Sequence, residues 1–223
     1  MPFAELTGVL ERVAAERGGV LGVEAGLVVE PDESWTPLRE LTREPSLLLA
    51  TLIEQTAGRY GAPRHVGAAL LWKTLGYWLT FPMAIGWALN GRAPVMRHED
   101  IYFRQSDAGV TIAATSVSVA DSPQAMRAAL LQAQEPLVNA ISERARVGRR
   151  TLWGSTAEAF AHPMTAVVKA DYMGLLRAMG RPVDGLLEQT ADGYRRRTCC
   201  LWVTLPESEA CSTCCVQREA CAA

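Results

Sequence analysis

Five of the six cysteines in this chain fall between positions 199 and 215. They read Cys199-Cys200, ten intervening residues from Leu201 to Ala210, then Cys211-Ser212-Thr213-Cys214-Cys215, with Cys221 two residues from the end. Isolated cysteines behave as small buried apolar residues. Thiols packed this densely into one loop are a reactive liability unless something holds them, and the holders available are disulfides, zinc or an iron–sulfur cluster.

Disulfides belong to oxidising compartments and small secreted domains. The chain opens Met1-Pro2-Phe3-Ala4-Glu5-Leu6, without the basic and apolar regions of a secretory signal, so a non-secreted protein is expected. No cysteine occurs before Cys199, so disulfides in the block cannot staple the body of the protein. Zinc is the stronger rival, since Cys211-x-x-Cys214 is a good metal knuckle. Zinc sites normally combine that knuckle with a second spaced pair, whereas Cys199 and Cys200 have no spacer. Neighbours in an extended strand point to opposite sides, so both can reach one tetrahedral ion only if the backbone kinks. A two-iron cluster is a larger target, and the spacing favours it over zinc.

The run Arg195-Arg196-Arg197-Thr198-Cys199-Cys200-Leu201-Trp202-Val203-Thr204-Leu205-Pro206, followed by Cys211-x-x-Cys214, resembles the C-terminal signature of FhuF-type ferric-siderophore reductases. The vicinal pair, the ten-residue spacer, the preceding basic residues and the Leu-Pro all match, and Leu152-Trp153-Gly154 is similar to a weaker stretch of the same family. The resemblance implies a cytoplasmic enzyme with a [2Fe-2S] cluster on Cys199, Cys200, Cys211 and Cys214. It also implies a ferric siderophore substrate, of hydroxamate type, and one-electron reduction of its iron after uptake. The chain carries Cys215 where the family has proline, so a ligand frame shifted by one, ending on Cys215, stays open beside the family frame.

Composition fits an ordinary globular protein: 223 residues, 49% hydrophobic and 21% charged. A net charge of -2 leaves no cationic excess for nucleic acid. Only Lys73 and Lys169 are lysines; the other cations are arginines. The periodicity predicts an α+β, mainly helical single domain with a small antiparallel sheet and a C-terminal cysteine-rich loop. Residues 1–194 form the body and 195–223 the cluster-binding segment, together one unit. Helices are expected over 2–17, 46–59, 122–147, 150–161 and 163–179, a β-hairpin near 100–119 turning at Ser106-Asp107-Ala108-Gly109, and a last strand over 196–204. Val66–Leu89 is long enough to span a bilayer, but Lys73, Pro82 and three glycines favour a central core helix and no integral membrane span.

No nucleophile elbow or phosphate-binding loop is present, and Gly18-Gly19-x-x-Gly22 follows a helix rather than a strand. His65, His98 and His162 read as surface or capping residues, and His98-Glu99-Asp100 as a polar loop. A reductase without a nucleotide fingerprint draws electrons from an external donor, such as a ferredoxin or flavoprotein reductase. Of Arg195, Arg196 and Arg197, alternate members of a strand face opposite sides, so one or two reach the cluster or the substrate groove in one reading and form a solvated strand end in the other. Trp202 and Trp153 read first as core residues and second as a wall for cluster or substrate. The rival functions are a zinc or iron–sulfur structural and interaction protein, and a non-catalytic siderophore-binding module.

Overall fold

The computed structural model describes residues 3–19, 21–106, 109–191 and 193–216; Cys221 and the turn residues Asp107 and Ala108 lie outside them. Helix α1 (Ala4–Glu16) buries Leu6, Val9, Leu10 and Val13, a stripe at helical spacing, and ends at Arg17 before two glycines of positive φ. Strand β1 (Val23–Val28) follows, then the short β2 (Thr36–Pro37). Helix α2 (Leu47–Arg59) begins at Ser46, whose hydroxyl accepts from Leu49 N–H at 3.1 Å.

Helix α3 (Arg64–Asn90) absorbs the whole apolar stretch and takes Pro82 in its stride. Apolar residues lie on every side of it, as a helix surrounded by others requires. It packs against α1, α2, α4 (Pro123–Ala145) and α5 (Arg149–Ala166). Among the described residues no helix is long and apolar enough to cross a membrane. Trp72 Nε1 donates to Leu152 O at 2.9 Å, tying α3 to α5. A buried polar chain ties in α4: Gln134 Nε2 donates to Thr80 Oγ1 at 2.9 Å, and Thr156 Oγ1 donates to Gln134 Oε1 at 3.2 Å. Polar groups at this depth are costly unless paired, so the chain fixes how the three helices register. Gly91 closes α3 in the left-handed region, φ 68°, and its N–H reaches Trp87 O at 2.8 Å.

The hairpin forms where expected, from β4 (Ile101–Ser106) and β5 (Gly109–Ala114), in register from Ile101 opposite Ala114 to Ser106 opposite Gly109. The sheet has the order β1-β5-β4-β2 and is mixed rather than purely antiparallel, because β1 lies parallel to β5. Strands β3 (Ala93–Val95) and β6 (Ser118–Ala120) form a separate antiparallel pair.

Two expected boundaries move. Pro163 does not start a helix: α5 runs through it to Ala166, and α6 (Tyr172–Met179) starts later, where the Asp171 carboxylate accepts from Gly174 N–H at 3.0 Å. Pro163 deprives α5 of the hydrogen bond its own N–H would have donated one turn back, and the helix nevertheless continues to Ala166. The expected strand over 196–204 ends where it was to begin. Strand β8 (Gly193–Arg196) pairs antiparallel with β7 (Leu187–Thr190), and the chain then leaves the ladder. Leu201 adopts φ 66°, and Trp202–Thr204 make one 3-10 turn. The backbone therefore bends immediately after the vicinal cysteines, which an extended strand would have held on opposite sides.

Candidate active site at the cysteine loop

Helix α5 is the anvil on which the loop is shaped. Gly154 and Ser155 each lie about one turn before Glu158, so both border the side of the helix on which Glu158 stands. Gly154 admits Thr198: a Cβ built on Gly154 would collide with the Thr198 side chain, whose own Cβ would stand only 3.0 Å away. Ser155 Oγ accepts from Arg196 Nη2 at 3.0 Å. Glu158 Oε2 accepts from Arg196 Nη1 at 2.7 Å, and its Oε1 accepts from Thr213 Oγ1 at 2.6 Å. One carboxylate thus grips the strand entering the first cysteine pair and the turn holding the second. The backbone adds a direct link, with Arg196 N–H donating to Thr213 O at 2.9 Å.

We expect Gly154→Ala to cost about 1–3 kcal/mol by overpacking and to displace Thr198, the neighbour of Cys199. Denaturant melts of Gly154→Ala, Thr198→Ala and the double variant check this; Thr198→Ala should return part of the loss, and additive losses would refute the contact.

Within the loop, Cys200 and Cys214 are buried, while Cys199, Cys211 and Cys215 are partly exposed. Leu201 N–H donates to Cys199 Sγ at 3.3 Å and Val216 N–H to Cys214 Sγ at 3.4 Å. Cys214 N–H donates to Cys211 O at 2.9 Å, closing the Cys-x-x-Cys turn. Lys73 Nζ lies 4.0 Å from Cys200 Sγ. Burial pushes the Cys215 thiol above its ordinary range, and neighbouring Cys199 and Cys214 push it further. No disulfide joins the described cysteines, and among the described residues no group of three or more His, Cys, Asp or Glu side chains is gathered tightly enough to hold a metal ion. The chemistry of the donor set nevertheless suits a thiolate-bound group: amides aimed at two sulfurs and an ammonium beside a third all favour the charged thiolate.

A cavity of about 440 Å³ opens against this loop. Its wall combines Lys73, Tyr77 and Trp78 of α3, Ser155, Glu158 and His162 of α5, Arg17 after α1, Tyr60 after α2, and Trp202 of the loop. Trp202 stands edge-on to Tyr60 with ring centroids 5.6 Å apart. Trp202 of the loop lines the cavity together with Lys73 and Glu158, which touch the loop at Cys200 and Thr213.

Sequence-derived candidates divide accordingly. Trp202 lines the cavity, while Trp153 is buried in the core. Arg196 is 1% exposed and held by Glu158 and Ser155. Arg197 faces solvent, its Nε 3.3 Å from Glu188 Oε2, and Arg195 is partly exposed opposite Glu188. The described cavity lining includes none of the three; its cations are Arg17 and Lys73. Lys73 reads in the sequence as a charge unsuited to a bilayer, and its place at the site comes from the fold. Ser155, Glu158 and His162, at successive turns of α5, are the signal that could have located this wall.

His98 serves structure, bridging Ala133 O and Thr42 Oγ1 at 3.1 Å each. His162 sits at the cavity rim with Nδ1 2.9 Å from Tyr77 Oη. Burial lowers the His162 pKa below the ordinary 6.5, opposed by Glu158 and aided by Arg17 and Lys73. Burial likewise pushes Tyr77 up to about 12, so its hydroxyl stays protonated. The stability tied to neutral His162 is present above pH 6.5 and is lost as pH falls through the folded-state value. An NMR titration should give His162 a midpoint below 6.5, and His162→Gln should flatten the acid limb of the stability profile. A midpoint at or above the ordinary value would contradict the assignment.

No protein-family model matches the chain, and no curated protein matches it.

Proposed function

We propose that this protein is a ferric-siderophore reductase, working in the cytoplasm, in which Cys199, Cys200, Cys211 and Cys214 hold a [2Fe-2S] cluster. When bound, such a cluster supplies a one-electron centre. In the net reaction an external donor of ferredoxin or flavoprotein type loses one electron and siderophore-held Fe(III) gains it. No bond of the chelator need break, because Fe(II), with less charge, is held more weakly by oxygen ligands and leaves.

The observation that carries this reading is the shared wall: Trp202 of the loop lines the cavity for a substrate together with Lys73 and Glu158, which touch the loop. The residues' own tasks follow. Lys73 offsets negative charge at Cys200. Glu158 is committed to Arg196 and Thr213 and holds the loop against α5. Trp202 and Tyr60 cover the approach with apolar surface. Arg195 and Arg197, outside the cavity, suit the docking of an acidic electron donor.

Anaerobically purified protein should be reddish-brown, contain iron and acid-labile sulfide in equal amounts, and bleach with dithionite. Mixed with a ferric siderophore, the reduced protein should reoxidise at a concentration-dependent rate while ferrozine traps Fe(II). Stoichiometric zinc without sulfide would favour the structural-protein reading. A reduced protein inert to every siderophore class yet reactive with another redox protein would be an electron carrier.

A further inference from the structure

We propose that His162 hands a proton to an oxygen of the ferric trihydroxamate as its iron is reduced, so that the chelate lets Fe(II) go; this rests on the reductase reading above. The chemistry asks for such a group. One electron entering a neutral ferric trihydroxamate leaves a ferrous complex with a single negative charge. A hydroxamate oxygen that releases iron at neutral pH takes up a proton, because hydroxamic acids are weaker acids than imidazolium. The balanced step puts the electron on iron and the proton on oxygen, and breaks one Fe–O bond. A proton delivered inside the cavity keeps that oxygen from recapturing the metal. The other polar groups of the wall are poorly suited to the task. Lys73 is committed to Cys200, Glu158 to Arg196 and Thr213, and Ser155 to Arg196. Arg17 lines the cavity, but a guanidinium does not give up its proton in proteins. Burial pushes Tyr77 up to about 12, which leaves its hydroxyl too weak an acid. His162 is the one histidine of the described lining, and imidazole is the side chain that releases and regains a proton near neutral pH.

Its position fits. Tyr77 and His162, joined at 2.9 Å, belong both to the substrate cavity and to a second cavity of about 300 Å³ lined also by Arg12, Glu16 and Phe81. The Tyr77 hydroxyl holds Nδ1, while Nε2 has no hydrogen-bond partner among the described residues. Tyr77 donates to Nδ1 of the neutral ring and accepts from Nδ1–H of the imidazolium, so the ring keeps one orientation through the cycle. The exposed ring regains its proton from solvent through the second cavity. The charged groups around it are Arg12 and Glu16 of α1, Arg17 after that helix, Lys73 of α3 and Glu158 one turn back in α5. Burial, with Arg17 and Lys73, disfavours the imidazolium and Glu158 favours it, which makes the charged ring a ready donor. The negative charge of a newly reduced chelate pulls the other way and recharges the ring as iron is reduced.

The test separates electron transfer from iron release. Pre-reduced protein would be mixed with a ferric trihydroxamate in weakly buffered solution between about pH 6 and 8, following its reoxidation and, with ferrozine, the appearance of Fe(II). His162→Gln should slow Fe(II) appearance about 100-fold relative to reoxidation, and make it fall about tenfold per pH unit, as direct uptake from solvent requires. Tyr77→Phe, which keeps the imidazole but releases its Nδ1, should give a smaller loss in the same direction. In the unaltered protein, the gallium(III) trihydroxamate, which takes no electron, should shift the NMR signals of the His162 ring. Release that keeps pace with reoxidation in His162→Gln, or a His162 signal indifferent to the gallium complex, would overturn the proton assignment and leave the reductase reading standing. If no ferric siderophore reoxidises the reduced protein, both readings fall.

Discussion

Serine in place of Cys200 should abolish the visible absorption of the purified protein and leave its helical circular dichroism in place. Cys200 is buried, sits beside Lys73, and comes just before the bend at Leu201. A serine hydroxyl there is a poor soft-metal ligand and does not ionise at neutral pH. The same loss is expected for Cys199→Ser and Cys211→Ser. The informative comparison is between Cys214→Ser and Cys215→Ser. Cys214 is buried and receives the Val216 amide, as a ligand thiolate would. Cys215 lies near both Cys199 and Cys214, which makes it the rival for the fourth ligand position. The family frame predicts loss with Cys214→Ser and retention with Cys215→Ser. The reverse pattern would place the ligand frame one residue later, and retention in all five variants would remove the cluster altogether.

Arg196→Met should be among the most destabilising single changes outside the apolar core, costing about 3–5 kcal/mol. The substitution strips the Glu158 carboxylate of its cation while leaving it largely buried, its side chain 14% exposed. Breaking one partner of such a pair is expensive because the other stays desolvated. Glu158→Gln should cost a similar amount, since it leaves the 1%-exposed Arg196 cation without its counter-charge even though an amide still bonds Thr213. Arg197→Ala, at a solvent-facing pair, should stay within about 0.5 kcal/mol. Urea melts of the three variants read these differences. If Arg196→Met and Arg197→Ala melt alike, the buried pair contributes nothing and the grip of α5 on the loop is wrong.

Much of the helical body was legible in the sequence because helices carry local signals: the 3.6-residue stripe of α1, the Ser122 cap of α4, whose hydroxyl accepts from Ala125 N–H at 3.2 Å, and an apolar run that fits a central helix. The hairpin was legible from alternation and turn residues. What escaped were features that depend on residues distant in the chain. The parallel pairing of β1 with β5 joins segments separated by β2, α2, α3, β3 and β4, and nothing local announces it. The strand expected over 196–204 failed because β-branched and aromatic residues there promise extension, whereas the loop must turn to pack against Ser155 and Glu158. The cysteines identify the chemistry class of the loop, but the cavity beside it needs Arg17, Tyr60, Lys73 and His162, drawn from four separate helices or their ends. Lys73 in particular gains a role only when α3 and α5 lie side by side.

The hold of α5 on the loop also bears on portability. A division at residue 194 suggests a cassette that could be moved to another scaffold, as zinc knuckles often are. Yet both halves of the loop are fastened to one helix, through Gly154, Ser155 and Glu158. A graft of residues 195–216 alone would leave a guanidinium without its carboxylate and a threonine without its recess. The transplantable unit is the loop together with two turns of α5, and lineages that altered one would be obliged to alter the other.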